Sequence, residues 1–155
     1  MTMRERYQIS KDEGVRSRSY MDSLNYLTGG IGHLMSERES AQYPEGTAIP
    51  STVVEAWFNE DMLTATEIAD KLLDGNATDE LHDIITNMAF NLGESRLRKF
   101  KKMWVAIGQE NFNAAAEEMK DSVWYTQVGH RSKRLYIRMQ LLGERHVDST
   151  DTCTG

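Results

Sequence analysis

Apolar side chains recur at helical spacing through most of the second half of the chain. The clearest case opens at Thr78, a residue suited to capping a helix, and closes at Gly93. Between these two positions the apolar residues follow the period of a helix: Leu81, Ile84, Ile85, Met88, Ala89 and Leu92. This pattern predicts a central helix, and weaker versions of it predict further helices at 95–107, 112–120 and 130–141.

The first half of the chain combines one short helical pattern with segments that favour strands and turns. Residues 3–13 are predicted to form a helix that ends at Gly14. From 19 to 35, tyrosines, Thr28 and several glycines favour short strands joined by turns. The polar segment that follows, 36–50, is predicted to be a loop.

A long helix is predicted from Thr52 to about Leu73. Thr52 and Glu55 have the spacing of a capping box, and an apolar stripe that includes Trp57 follows them. Asp61 lies on the same face as this stripe, where an unpaired charge would be costly, so we expect it to have a partner. Strands followed by a run of helices predict the α+β fold class.

Composition and charge limit the function without identifying it. The chain has 155 residues and a formal net charge of −6, which argues against general nucleic-acid binding. Its single cysteine, Cys153, predicts no disulfide inside the chain and fits folding in a reducing cytosol. The first residues contain no apolar run, which argues against a secretory signal peptide. No segment approaches the roughly 20 apolar residues of a membrane-spanning helix, so no stable membrane insertion is expected.

Three polar residues of the strand-forming region could carry chemistry: Glu13 at a helix end, then Asp22, then Thr28. Glycoside hydrolysis uses two carboxyl groups on either side of a cleft. One, protonated, donates to the leaving oxygen, and the other, ionised, activates water or attacks the sugar. A chain with 24 acidic residues contains such pairs by chance, so spacing alone favours solvated surface acids.

Short sequence blocks around and beyond these residues change that interpretation. They are DEG at 12–14, YMD at 20–22, YLTGGIGH at 26–33, FNED at 58–61, NMAFNLGE at 87–94 and WYTQVGHRSKR at 124–134. In this order, the blocks resemble the lysozymes of T-even phages and their glycoside hydrolase family. The resemblance implies a lysozyme-like fold, with a small N-terminal β-containing lobe and a larger C-terminal helical lobe joined by a long helix.

The resemblance also implies roles for the three candidate residues. Glu13 is then the general acid, and Asp22 stabilises positive charge that develops on the sugar and helps to hold the attacking water. Thr28 positions the same water from the opposite side. The family is similar to other inverting enzymes, in which the two carboxyl groups stand roughly 6.5–9.5 Å apart to admit the water. No cofactor is implied.

Two supporting contacts follow from the same resemblance. His33 is expected to form an ion pair with Asp61, and Arg131 is expected to reach Glu13 from the helical lobe. A metal site at His33 and Asp61 is the alternative interpretation. Two ligands without others nearby are too few for a metal ion, so none is expected.

Two further residues, Leu34 and Phe90, match family positions that contact the sugar chain. Gly32 is predicted to bind substrate by allowing the backbone and the glycan to approach closely. Phe90 lies in the middle of the strongest predicted helix, so packing in the core is an equally good interpretation of it. Gly32 could simply form a tight turn. Two other contact positions of the family fall on Met103 and Glu118 and do not match in residue type.

The chain is predicted to form a single lysozyme domain over residues 1–142. Its β-containing lobe covers about 14–60, and its helical lobe covers about 78–142 together with the N-terminal helix. Residues 143–155 are expected to be a disordered tail that the protein does not need. Compared with the T-even phage enzymes, the small lobe and the helix that joins the lobes are shortened.

The function that the resemblance implies is that of an endolysin. It would be a muramidase that cleaves the β-1,4 bond between N-acetylmuramic acid and N-acetylglucosamine in bacterial peptidoglycan, for lysis of the host cell. Such a protein is expected to be a monomer, made in the host cytoplasm, that acts on the periplasmic wall after a separate membrane pore protein (a holin) gives it access.

Two alternatives to an endolysin are kept. The first is the same chemistry carried out from the virion during phage entry. The second is a catalytically silent peptidoglycan-binding or structural virion protein on the lysozyme fold. The presence of Glu13, Asp22 and Thr28 together argues against a silent protein, since binding alone does not require all three.

Overall fold

The computed structural model describes residues 1–75 and 77–152, and its side chains up to residue 145. The N-terminal part contains these elements: α1 (Met3–Glu13), β1 (Arg16–Met21), β2 (Leu27–Gly30), β3 (His33–Leu34) and α2 (Glu37–Gln42). The rest is helical: α3 (Ser51–Leu73), α4 (Asp79–Leu92), α5 (Glu94–Arg98), α6 (Lys101–Gly108), α7 (Phe112–Lys120), α8 (Val123–Val128) and α9 (His130–Thr152). This combination confirms the predicted α+β fold class.

The three strands form one antiparallel sheet in the order β1-β2-β3. Thr28 on the central strand lies opposite Tyr20 of β1 and opposite Leu34 of β3. The turn between β1 and β2 contains Asn25 with a φ of 65°, a left-handed conformation that Asn tolerates better than most residues. The sheet therefore brings residues from the two predicted strand segments side by side.

Contacts at both ends place α1 against the helical part of the molecule. At its start, the Thr2 hydroxyl donates to Asp83 Oδ2 at 2.7 Å, and the Thr2 backbone N–H donates to Asp83 Oδ1 at 3.0 Å. Further along, Ile9 is fully buried in a cluster with Phe58 of α3. Because α1 is held on both α3 and α4, its last residue, Glu13, has a fixed position between the sheet and the helices.

The long helix α3 joins two separate hydrophobic cores. Its N-terminal half contributes Val54 and Trp57 to a small core beneath the sheet, which also contains Met35 and Ile49. Its C-terminal half contributes to a larger core that helices α4, α5, α6, α7, α8 and α9 surround. The fully buried members of this larger core are Ala69, Ile84, Ile85, Met88, Leu97, Met103, Ala115, Ala116, Met119 and Met139. Each half of α3 thus belongs to a different lobe.

The last helix is longer than the sequence predicts. A disordered tail is predicted from residue 143, but α9 continues to Thr152, so this prediction is wrong for residues 143–152. Gly143 is buried beside Asn113 of α7, where an added Cβ would stand 2.9 Å from the Asn113 backbone nitrogen. The absence of a side chain at Gly143 therefore allows α7 and α9 to approach closely. Cys153 lies outside the described residues.

Helix capping differs from the prediction in two places. The polar segment predicted as a loop contains α2, which begins with a complete capping box: the Ser36 hydroxyl accepts from the Glu39 N–H, and the Glu39 carboxylate accepts from the Ser36 N–H. The capping box predicted at Thr52 and Glu55 is absent. The residue before α3 is Pro50, whose carbonyl already accepts the first helical hydrogen bonds, so Thr52 lies inside the first turn.

The helical part also departs from the prediction in detail. The single helix predicted at 95–107 is divided into α5 and α6 around Lys99 and Phe100, and α8 was not predicted. The helix predicted at 112–120 agrees with α7, and Thr78 caps α4 by accepting from the Leu81 N–H at 3.2 Å. Among the helices described, none combines the length and the apolar character required to cross a bilayer.

Candidate active site

Glu13 is the last residue of α1, and contacts on two sides hold its carboxylate. Arg131, near the start of α9, donates Nη1 to Glu13 Oε1 at 2.5 Å. The other oxygen, Oε2, lies so close to Gly32 that a Cβ at that position would overlap it. Gly32 also has a φ of 63°, so this position requires glycine both for backbone conformation and for space. The side chain of Glu13 keeps 18% of its surface exposed and remains accessible.

Asp22 follows β1 and is held by the hairpin turn. Its Oδ1 accepts hydrogen bonds from the backbone N–H groups of Leu24 at 2.9 Å and Tyr26 at 2.8 Å. In the part of the chain that the structure describes, Oδ2 has no hydrogen-bond partner. The turn therefore fixes the orientation of the carboxylate and leaves one oxygen available to water or a ligand.

The phenol of Tyr20 lies close enough to both carboxylates to respond to their charges. Burial raises the pKa of Tyr20, the guanidinium of Arg16 works in the opposite direction, and the charges of Glu13 and Asp22 add to the increase. Arg16 stands over the ring, 4.8 Å from its centroid. Glu13 and Asp22 thus share one neighbourhood with Tyr20 between β1 and the end of α1. Tyr20 belongs to the YMD block, but no function was predicted for it from the sequence.

Thr28 lies on the central strand, directly opposite Tyr20 of β1. It is 6% exposed, and its hydroxyl donates to the Tyr26 carbonyl at 3.1 Å. A threonine hydroxyl has one donor and two acceptor sites, so Thr28 can still accept a hydrogen bond from a water molecule. The strand pairing thus places Thr28 beside Tyr20, whose phenol responds to the charges of Glu13 and Asp22.

Arg131 is 7% exposed, and side chains other than Glu13 also help to orient it. Its Nε donates to Asn87 Oδ1 at 2.7 Å and lies 3.6 Å from Asp12 Oδ2. Asp12 also pairs with Arg134. Sequence reasoning assigned no role to Asp12 or Asn87, although Asp12 precedes Glu13 in the DEG block and Asn87 opens the NMAFNLGE block.

His33 has the partner that the resemblance implied and a second one. Its Nδ1 lies 2.7 Å from Asp61 Oδ2, and its Nε2 lies 3.0 Å from Glu39 Oε1. The ring stacks on Trp57 with centroids 4.4 Å apart. Burial works against protonation, but hydrogen bonds to Asp61 and Glu39 outweigh it and raise the pKa of His33. Glu39 was missed because its segment was predicted to be a loop.

A cleft of about 210 Å³ runs between the sheet side and the helical side of the molecule. The residues that line it are Gly32, Leu34, Asp61, Thr64, Ala65, Ile68, Ala89, Phe90 and Gly93. The three predicted sugar-contacting residues therefore line one cleft. Leu34 is 58% exposed, whereas Phe90 packs edge-on against Phe58 with centroids 5.8 Å apart, so Phe90 serves both the core and the cleft wall.

Two sequence positions and one larger concavity lie outside this candidate site. Met103 is fully buried and Glu118 does not line the cleft, so neither position contributes a side chain there. A wider concavity of about 790 Å³ lies between α3, α4, α6 and α7, but none of the predicted site residues lines it. The described residues contain no group of three or more histidine, cysteine, aspartate or glutamate side chains that could hold a metal ion.

Glu13 contacts Gly32 of the cleft wall, and Asp22 is held in the turn between β1 and β2. A two-lobed α+β protein with a carboxylate beside an inter-lobe cleft and a second carboxylate in this hairpin has the features of a lysozyme-type glycoside hydrolase. A sequence model of the phage lysozyme family matches residues 10–140, and the chain belongs to the phage lysozyme family. It is 31% identical over 149 residues to "Probable T4-type lysozyme 1" of Dictyostelium discoideum, covering 82% of this chain and 88% of that protein.

Two phage proteins of greater length are also similar. The "Peptidoglycan hydrolase gp36" of Pseudomonas phage phiKMV is 29% identical over 136 residues, which are 86% of this chain but only 15% of that protein. The "Pre-baseplate central spike protein Gp5" of Enterobacteria phage T4 is 28% identical over 157 residues, 87% of this chain and 27% of that protein. The chain therefore spans only a small part of these two relatives.

Proposed function

We propose that the protein hydrolyses the β-1,4 bond between N-acetylmuramic acid and N-acetylglucosamine in bacterial peptidoglycan. The observation that carries this proposal is that two carboxylates act on the phenol of Tyr20: Glu13, which Arg131 holds, and Asp22, whose Oδ2 has no partner among the described residues. Membership of the phage lysozyme family supports a glycan substrate. The name of the Pseudomonas phage relative supports peptidoglycan in particular.

In the proposed reaction, protonated Glu13 donates its proton to the glycosidic oxygen as the bond from that oxygen to the anomeric carbon breaks. A water held by Asp22 Oδ2 and Thr28 attacks the anomeric carbon from the opposite face, and its proton passes to Asp22. The new C–O bond lies on the face opposite the leaving group, so the product has inverted configuration. Proton exchange with solvent then restores both carboxyl groups.

The cleft supplies the surface along which the glycan would lie. Leu34 offers an exposed apolar side chain, and Phe90 offers the accessible part of its ring. Gly32 has no side chain to separate the sugar from Glu13. His33 ties the strand that carries Leu34 to α3 through Asp61, which keeps this wall of the cleft in place.

The first test measures turbidity loss of outer-membrane-permeabilised Gram-negative cells by the parent protein and by Glu13→Gln. We expect the substitution to lower the rate at least about 100-fold, because general acid catalysis contributes roughly 10²–10⁴. Glu67→Gln, on the exposed side of α3, is the matched control and is expected to clear cells like the parent. Equal clearing by Glu13→Gln contradicts the assignment, and no clearing by the parent favours the silent peptidoglycan-binding protein.

For the biological role, we infer that the activity lyses a host bacterium from within, late in a phage infection. Made in the cytoplasm, the protein would need a separate membrane pore protein to reach the wall. Expression in a bacterial host is the test. Lysis is expected only when a pore-forming protein is co-expressed, and lysis without one would contradict the dependence on a holin.

Action from the virion during entry is the second candidate for the biological role. The observation in its favour is the similarity to a phage protein whose name describes a pre-baseplate central spike. The chemistry would be the same in both roles. Antibody detection of the protein in purified virions would favour entry, whereas its presence only in the lysate would favour lysis from within.

A further inference from the structure

A line of buried polar side chains leads from the first turn of α1 to the carboxylate of Glu13. Glu5 is 3% exposed and Asn87 is 1% exposed. Glu5 Oε1 accepts from Asn87 Nδ2 at 2.7 Å, and Asn87 Oδ1 accepts from Arg131 Nε at 2.7 Å. Arg131 Nη1 then donates to Glu13 Oε1 at 2.5 Å. Residues from α1, α4 and α9 thus form one continuous chain of hydrogen bonds.

Each bond in this chain can run in only one direction. An ionised carboxylate only accepts hydrogen bonds and a guanidinium only donates them, while an amide has one end of each kind. Because Glu5 accepts, Asn87 must turn its NH₂ group toward Glu5 and its oxygen toward Arg131. Glu5, which accepts, and Arg131, which donates, therefore both require this orientation of Asn87.

A second arginine pairs with Glu5 in this buried position. Arg138 Nη1 lies 2.9 Å from Glu5 Oε2, and Arg138 Nε donates to Glu80 Oε1 at 2.7 Å. Burial works against the charge on Arg138, but Glu80 and Glu5 outweigh it and raise the pKa of Arg138. A buried ion pair of this kind often contributes no more stability than apolar residues of the same volume would.

Arg131 has few other contacts that could fix its orientation. Its Nη2 is buried without a hydrogen-bond partner among the described residues, and Asp12 stands 3.6 Å from Nε, beyond hydrogen-bond distance. Among the described side chains, Asn87 and Glu13 are thus the hydrogen-bond acceptors of this guanidinium. Loss of the Asn87 bond would remove the hydrogen bond that fixes Nε and leave Arg131 to its ion pairs with Glu13 and Asp12.

We propose that Glu5 is a positioning residue for the reaction: acting through Asn87, it fixes Arg131 in the orientation that holds the Glu13 carboxyl group. This inference rests on the proposed role of Glu13 as the general acid. Glu5 touches neither substrate nor the reacting atoms. Its effect is transmitted by the orientation of one buried amide.

The test compares three variants in steady-state kinetics on soluble, uncross-linked peptidoglycan strands. Glu5→Gln keeps the side-chain shape but replaces the obligate acceptor of Asn87 by an amide, which weakens the constraint on the orientation of Asn87. It is expected to lower kcat about tenfold with KM unchanged. Glu80→Gln is the matched control, because it neutralises the other carboxylate that pairs with Arg138 and leaves the bond that Arg131 donates to Asn87 intact. Its kcat is expected to equal that of the parent.

The third variant tests whether activity can be restored, which is not expected if Glu5 has only a structural role. In Glu5→Gln combined with Asn87→Asp, the new carboxylate at position 87 can accept from both the amide at position 5 and Arg131 Nε. We expect kcat to recover to within about threefold of the parent. A Glu5→Gln protein with reduced melting temperature but parental kcat would overturn the proposal, as would a folded double variant without recovery.

Glu13→Gln is assayed beside these variants to separate this inference from the proposed function. An inactive Glu13→Gln together with a parental Glu5→Gln would overturn the positioning role alone. An active Glu13→Gln would remove the general acid from the proposed mechanism, and the positioning role of Glu5 would be lost with it.

Discussion

The side chain of His33 connects three elements of the small lobe, since it lies in β3 and contacts Glu39 of α2 and Asp61 of α3. Burial opposes its protonation, but these two carboxylates outweigh burial and raise its pKa. Burial likewise works to raise the pKa of Glu39, but hydrogen bonds from Ser36 and His33 outweigh it and lower that pKa. A raised pKa at His33 and a lowered pKa at Glu39 are expected when a positive and a negative charge stabilise each other.

We therefore expect the free energy of unfolding to fall as the pH rises above about 6.5, the ordinary pKa of histidine. His33 has a higher pKa in the folded state, so its contribution is full below 6.5 and is lost as the pH rises through the folded-state pKa. For Glu39 the sign is reversed, so its contribution is present above 4.5 and is lost as the pH falls through its lowered pKa.

Urea denaturation at a series of pH values between about 5 and 8.5 measures this dependence. His33→Gln is expected to remove much of the decrease in stability above pH 6.5. The exposed His130 provides the control, since His130→Gln should keep the parental pH dependence. A parental slope in His33→Gln would mean that other groups carry the effect.

At the scale of elements, the turn between β2 and β3 determines how closely the sheet approaches Glu13. Gly32→Ala would place a methyl group on the Glu13 carboxylate, whereas Gly46, with a φ of 83°, has no atom within 4 Å of an added Cβ. Both substitutions carry the cost of a left-handed backbone, about 1 kcal/mol. We expect a similar loss of stability from the two variants but at least a tenfold loss of kcat only from Gly32→Ala. A parental kcat in Gly32→Ala would contradict the close contact.

The two capping motifs show how far local sequence determines an element. The Ser-x-x-Glu pattern at Ser36 caps α2, and the Thr-x-x-Glu pattern at Thr52 caps nothing, because Pro50 begins α3 earlier. No residue of α2 is buried, so this helix has no apolar stripe from which it could be predicted. Tertiary contact stabilises it instead, through the bond from Glu39 to His33.

For the molecule as a whole, the candidate site residues lie in recognisable sequence blocks, whereas some of the residues that support them do not. Glu13, Asp22 and Arg131 lie in blocks that resemble the family, and the structure brings Arg131 to Glu13 across 118 positions of the chain. Glu5 lies outside every block and would be taken for a surface acid in the first turn of a helix. Its burial against Asn87, 82 positions away, depends on the packing of α1, α4 and α9, which local periodicity does not specify.

The packing of α9 against α7, the most extensive contact between helices in the described chain, is open to a direct test with two helical glycines. Gly108 at the end of α6 has no atom within 4 Å of an added Cβ, so Gly108→Ala is expected to stabilise the protein by up to about 1 kcal/mol through helix propensity. Gly143→Ala gains the same propensity but forces Asn113 to move, so we expect a net loss of about 1–3 kcal/mol. Urea denaturation measures both changes. Equal stabilisation by the two substitutions would mean that α9 does not pack on α7 beyond Leu142, and that the sequence was correct to predict a tail that the protein does not need.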